Sequence, residues 1–127
     1  MFEGLLEYND IGLFILRLGL GIIFIYHAIP KVKNPKAMAQ MMGGSAAMPL
    51  VLGLIELLSG IGIIVGFYTQ LAALLLGIVM IGAIGMKTMK WNTPFAAMDK
   101  TGWEFDLILL AGSIAILMGG GGAITLF

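Results

Sequence analysis

Two charged residues stand inside apolar runs where charge is costly. Arg17 falls within Ile11–Ile29 and Glu56 within Ala47–Phe67. A charged side chain near the centre of a membrane helix costs about 2.5–3.5 kcal/mol on insertion scales, so each residue needs compensation. The simplest compensation is mutual. Arg17 lies a little outward of the middle of its run, Glu56 lies near the middle of one that returns in the opposite direction, and the long arginine side chain closes the offset. Gly53 and Gly60 flank Glu56 at i−3 and i+4 on roughly one face, leaving space beside the carboxylate. An Arg17–Glu56 ion pair is expected. It fixes helix register in one reading and forms the polar floor of a ligand pocket in the other, since ionisable groups within a membrane are functional candidates by default.

A second group gathers where the lysines are. His27 stands near the exit of the first run, Lys87 at the exit of the third and Glu104 at the start of the fourth. In an antiparallel bundle all three reach one membrane level. Lys31 follows His27 by one turn, with Pro30 between them. His27 is about 15 Å along the axis from Arg17 and roughly 80° around it, so one pocket could run from Glu56 and Arg17 at mid-depth to His27 at its mouth. His, Glu and Lys side chains together can exchange protons with a bound carbonyl or hydroxyl group. The alternative for His27 is a hydrogen-bonded interfacial residue. Asp106 lies about 200° round from Glu104 and is expected on another face, solvated and outside the site.

Other chemistries find little support. The chain has one histidine, no cysteine and ten methionines spread at core-like positions, so no metal or haem site and no resident cofactor is expected. Gly119–Gly122 is neither a phosphate loop nor a nucleophile elbow, because no strand–turn–helix context surrounds it.

The elements that must position these residues are membrane helices. Hydrophobic residues make up 60% of the 127 and charged residues 11%, with a mean hydropathy of +1.04; soluble domains carry about 25% charge. Seven basic residues balance seven acidic ones, which argues against nucleic acid as a partner. Runs of about 20 apolar residues are long enough to cross the bilayer as helices and about twice the length of a membrane strand. The expected fold is all-α, a single transmembrane domain over residues 1–127, with spans at about 11–29, 47–67, 71–86 and 104–122 forming a four-helix antiparallel bundle. Pro30 is expected to close the first span. The acidic N-terminus lacks the positive region of a secretory signal, so the first run reads as a retained span.

The connection Gly66–Gln70 is short, whereas those at about 30–46 and 87–103 are long and carry all six lysines: Lys31, Lys33, Lys36, Lys87, Lys90 and Lys100. The positive-inside rule places both long loops in the cytoplasm and both termini outside a multi-pass cell-membrane protein. Asn34-Pro35 starts a short interfacial helix in the first loop, ended by Gly43-Gly44. Trp91, Phe95 and Trp103 read as headgroup anchors. Glycines within the spans let helices pack closely, against one another or against further subunits.

The segments Leu16-Arg17-Leu18-Gly19-Leu20-Gly21-Ile22-Ile23-Phe24 leading to His27 and Lys31, then Glu56-Leu57-Leu58-Ser59-Gly60, Gly66-Phe67-Tyr68-Thr69-Gln70-Leu71-Ala72-Ala73-Leu74-Leu75-Leu76 and Gly102-Trp103-Glu104 resemble the DoxX/DoxD family of small four-helix membrane proteins. The resemblance covers nearly the whole chain through the order and spacing of these segments. Two positions depart from it: Gln70 where the family usually has Arg, and Lys87 where a His is common. The resemblance implies a quinone-linked role like that of the large subunit of thiosulfate:quinone oxidoreductase, with quinone as substrate and electrons from a substrate or partner. Arg17, Glu56, His27, Glu104 and Lys87 are the candidate site residues. Two further readings stand beside it: a non-catalytic subunit that anchors or assembles a larger complex or a homo-oligomer, and a small transporter or lipid-binding module.

Overall fold

Five α-helices carry the chain: α1 (Asn9–Lys33), α2 (Pro35–Met42), α3 (Ala47–Val65), α4 (Thr69–Gly85) and α5 (Trp103–Gly119). A 3-10 helix, Glu3–Tyr8, precedes α1, and a π-helical turn, Met86–Lys90, continues α4. The computed structural model describes residues 1–126, and no strand occurs among them.

Pro30 does not end the first helix. It lacks an N–H for its own turn, but its carbonyl still accepts from Asn34 N at 2.9 Å and α1 runs on to Lys33. The lost bond lies close to the helix end, where few later bonds depend on it. Lys31 therefore stays helical, one turn beyond His27. The chain breaks at Asn34, and Pro35 opens α2 at the position where a missing N–H costs nothing. Gly43 closes α2 with φ +73°, donating to Ala39 O at 2.7 Å, a conformation that glycine adopts without a Cβ penalty.

Close helix approach depends on glycine. Gly21 of α1 lies against the Gly60 carbonyl and Ile64 of α3, Gly60 lies against Gly21 and Ile25, and Gly53 lies against the Ala28 carbonyl, Lys31 and Val32. The contacts run in opposite chain order, which fixes the register of the two helices. On the other side α4 packs against α5 and α3, with Gly77 beside Leu110 and Ser113. Leu20, Phe24, Ile63, Leu76, Met80, Leu109 and Ile116 fill the centre.

Three helical segments, Glu3–Lys33, Ala47–Val65 and Thr69–Lys90, are long and apolar enough to cross a membrane. α5 is equally apolar along its middle, but its 17 residues reach about 25 Å, short of a hydrocarbon core of about 30 Å. The outward faces present Ile15, Ile22, Leu58, Leu71, Ile78, Ile81 and Ile108, surface that lipid covers without cost.

Candidate functional site

Arg17 and Glu56 do not meet. Gly21 is level with Gly60 and Lys31 with Gly53, so Glu56 faces the stretch of α1 around Ile25–Ala28, roughly 10–15 Å along the axis from Arg17. The expected ion pair is replaced by two separate arrangements at opposite ends of α1.

Arg17 is fully buried and spends its donors on backbone. Nε donates to Ile63 O (2.8 Å), Nη2 to Ile64 O (3.1 Å), and Nη1 to Gly121 O (3.1 Å) and Ile124 O (2.5 Å). The last carbonyls of a helix have no intrahelical partner and carry the negative end of its dipole. Arg17 thus satisfies the end of α3 and ties the segment after α5 onto it. Leu126 N donates to Val65 O and Ala123 N to Asp10 Oδ1, completing the fastening. The Phe14 ring lies 5.4 Å from the guanidinium carbon. Among the described residues, the contacts of Arg17 are with protein backbone and an aromatic ring.

Glu56, only 1% exposed, forms an ion pair with Lys31 across the α1–α3 interface. A second buried pair joins Lys87 of the π-helical turn to Asp106 of α5, Nζ to Oδ2 at 2.6 Å. Lys87 also donates to Thr101 O at 3.4 Å and stands 5.9 Å from the centre of the Phe105 ring. Burial makes such pairs demanding: removing one partner strands a desolvated charge at a cost of about 3–5 kcal/mol.

His27 lies within electrostatic reach of all four charged groups, Lys31, Glu56, Lys87 and Asp106. Its ring packs against Phe105 at 5.5 Å and edge-on to Tyr26 at 5.6 Å, and is partly open to the surroundings. Among the described residues no hydrogen bond or ion pair engages either ring nitrogen, while its charged neighbours are occupied with each other. An imidazole so placed can accept a proton from a bound ligand or give one to it.

Of the expected cluster, His27 and Lys87 come together, and Lys31 and Asp106 join them. Glu104 does not. It points outward and is exposed, while Asp106, expected to be solvated, is buried and paired. The sequence carries the signal for Asp106: with Leu109, Ser113 and Ile116 it recurs every three or four residues along the buried face of α5. The π-helical turn has no comparable signature, yet it sets the direction of Lys87. Among the described residues no group of three or more His, Asp and Glu side chains gathers as a metal site would require.

Lys90 ties the two long loops together by donating to Met42 O, the end of α2, at 2.5 Å. The loop before α5 is closed by Trp103 N to Pro94 O and Glu104 N to Phe95 O, at 3.3 and 3.0 Å, and by Phe95 packed edge-on to Trp103 at 4.6 Å.

The family model of DoxX matches residues 12–91, from the start of α1 through the π-helical turn. That stretch includes Arg17, His27, Lys31, Glu56 and Lys87 and leaves α5 outside. Over 114 residues the chain is 32% identical to the "Putative oxidoreductase CatD" of Bacillus subtilis (strain 168), covering 87% of this chain and 81% of that protein. No solved structure matches the chain.

Proposed function

The chain belongs to the DoxX family, and from that premise we propose that it is a membrane subunit of a quinone-linked oxidoreductase, crossing the bilayer four times as an antiparallel bundle. The observation that carries the reading is His27, an imidazole with no protein hydrogen-bond partner among the described residues, between the pairs Lys31–Glu56 and Lys87–Asp106. Reduction of a quinone to a quinol takes up two electrons and two protons. His27 exchanges protons with the ligand oxygen, and the Lys31–Glu56 and Lys87–Asp106 pairs set the electrostatic field around it. The electrons come from a partner subunit or a reduced substrate. The oxidoreductase name of the Bacillus relative supports this class of activity.

α5 completes the fourth crossing by local thinning of the bilayer or by using the glycine-rich segment that follows it. All six lysines lie at the end of the bundle that carries the site, so the long loops face the cytoplasm and both termini lie outside in the cell membrane. Arg17 serves the helix scaffold rather than the ligand.

A second reading, a non-catalytic anchoring or assembly subunit, draws on α1 and α4. Gly12, Gly19, Gly82 and Gly85 leave open space where a Cβ would stand, and smooth small-residue surfaces suit contact with another membrane helix.

The test is a titration of the full-length protein in lipid nanodiscs with short-chain ubiquinone and menaquinone analogues. Saturable binding, weakened by His27→Ala and Asp106→Asn while the fold is retained, supports the quinone reading. Absence of saturable binding of either analogue to the wild type sinks it for the chain alone, and co-purification of a larger partner then favours the anchoring role.

A further inference from the structure

A groove of about 440 Å³ lies beside the ion-pair cluster, between the loop preceding α5 and the outer face of α5, lined by Lys100, Thr101, Gly102, Glu104, Phe105 and Ile108. Its volume falls in the range of small-molecule sites, about 300–1,000 Å³, but it is a shallow groove open along most of its rim, so a ligand in it keeps one side exposed. Its wall is fixed: Gly102 is buried against the carbonyls of Pro94 and Phe95, leaving no room for a side chain.

Three features define what fits. Phe105 and Ile108 supply an apolar floor, and Ile108, 66% exposed, opens it sideways along the lipid-facing side of α5. Lys100 and Glu104 stand at the rim with opposite charge, and neither makes an ion pair among the described residues. The ammonium donates to a carbonyl oxygen and the carboxylate accepts from a hydroxyl. Phe105 also touches His27 at 5.5 Å and lies 5.9 Å from Lys87, so one ring borders both the groove and the cluster.

We propose that this groove is a lateral subsite for a lipid-dissolved ring compound with carbonyl or hydroxyl oxygens at its edge, a quinone or its quinol, packed on Phe105 and Ile108 and held at the rim by Lys100 and Glu104. The inference rests on the quinone reading above and adds the path by which the ligand leaves the bilayer and reaches His27. Glu104 acts here as a recognition residue, separate from the buried pairs.

Trp103 adjoins Glu104 and provides the readout. In a Trp91→Phe background it is the only tryptophan of the chain, and a ring bound in the groove quenches its emission. The full-length protein in nanodiscs is titrated with a short-chain ubiquinone analogue, and thermal unfolding of each variant checks the fold. Saturable quenching is expected, with apparent Kd raised three- to tenfold by Lys100→Gln or Glu104→Gln and more than tenfold by Ile108→Trp, which fills the groove. The two rim substitutions are on exposed positions, so they decide the matter even where Ile108→Trp fails to fold. Unchanged affinity in the rim variants, with binding weakened by His27→Ala, overturns the groove and leaves the quinone reading standing. No saturable binding in the Trp91→Phe protein or the wild type overturns both.

Discussion

Lys31 of α1 reaches Glu56 of α3 because Gly53, one turn before the glutamate, has no side chain. A Cβ at Gly53 would stand 2.8 Å from Lys31 Cβ and 3.0 Å from Val32 Cγ2, closer than these stiff parts of the helices tolerate. The ion pair and the close approach are one feature: the glycine brings the helices together, and their proximity lets the ammonium group meet a carboxylate shut away from water.

Gly53→Ala is therefore expected to destabilise the protein by about 1–3 kcal/mol, the usual cost of overpacking. Gly82→Ala, on the same type of membrane helix but with nothing within 4 Å, is the control and should leave the unfolding temperature unchanged. Equal unfolding temperatures for the two variants in detergent would show that the α1–α3 contact is looser than described.

The Lys31–Glu56 pair should behave as a unit. Glu56→Leu or Lys31→Met alone leaves one buried charge and is expected to cost about 3–5 kcal/mol, whereas Lys31→Met with Glu56→Leu recovers much of that loss. A double-mutant cycle by denaturant unfolding measures the coupling. Strict additivity of the two single substitutions would mean that the charges do not depend on one another.

Much of this arrangement is legible in the sequence. Arg17, Leu20, Gly21, Phe24 and Ala28 recur every three or four residues along the buried face of α1, and Lys31 continues that row. The apolar runs, the short connection at Gly66 and the Pro35 start of α2 follow from local rules. What was not legible is register. The Arg17–Glu56 expectation sets the middles of two runs opposite each other, but α1 continues past Pro30 to Lys33 and the Gly21–Gly60 and Lys31–Gly53 contacts set Glu56 against its later turns, so the lysine, not the arginine, arrives at the glutamate. Asp106, about 200° round from Glu104, falls outside the site only if Glu104 faces inward. The buried face of α5 is the one that carries Asp106 and Ser113.

The second pair is expected to matter more for function than its distance from the bundle centre suggests. Asp106→Asn leaves Lys87 without its carboxylate next to the Phe105 ring and adds an uncompensated positive charge beside His27. A ligand-linked proton uptake measured by indicator dye or calorimetry in two buffers should fall. Lys87→Met with Asp106→Leu removes both charges and should restore stability together with much of the proton uptake, because the unpaired ammonium is gone. A loss of uptake that persists in the stable double variant would show that Lys87 or Asp106 takes part in the proton transfer directly.

Arg17 gives the clearest separation between scaffold and site. Its guanidinium donates to four carbonyls, Ile63, Ile64, Gly121 and Ile124, a fan that a lysine with its compact ammonium cannot reproduce. Arg17→Lys is expected to loosen the segment from Gly120 to Leu126 and to lower stability by about 1–3 kcal/mol, since buried carbonyls lose charged donors. Hydrogen exchange should rise at the amides of Ala123 and Leu126, which bond to Asp10 and to the end of α3, while amides near His27 keep their protection. Binding of a quinone analogue to the folded fraction should stay within threefold of wild type, because the guanidinium stands about two helical turns or more from the His27 cluster. A tenfold loss of affinity with the C-terminal amides still protected would return Arg17 to the ligand site and make its carbonyl contacts a resting arrangement that the ligand displaces.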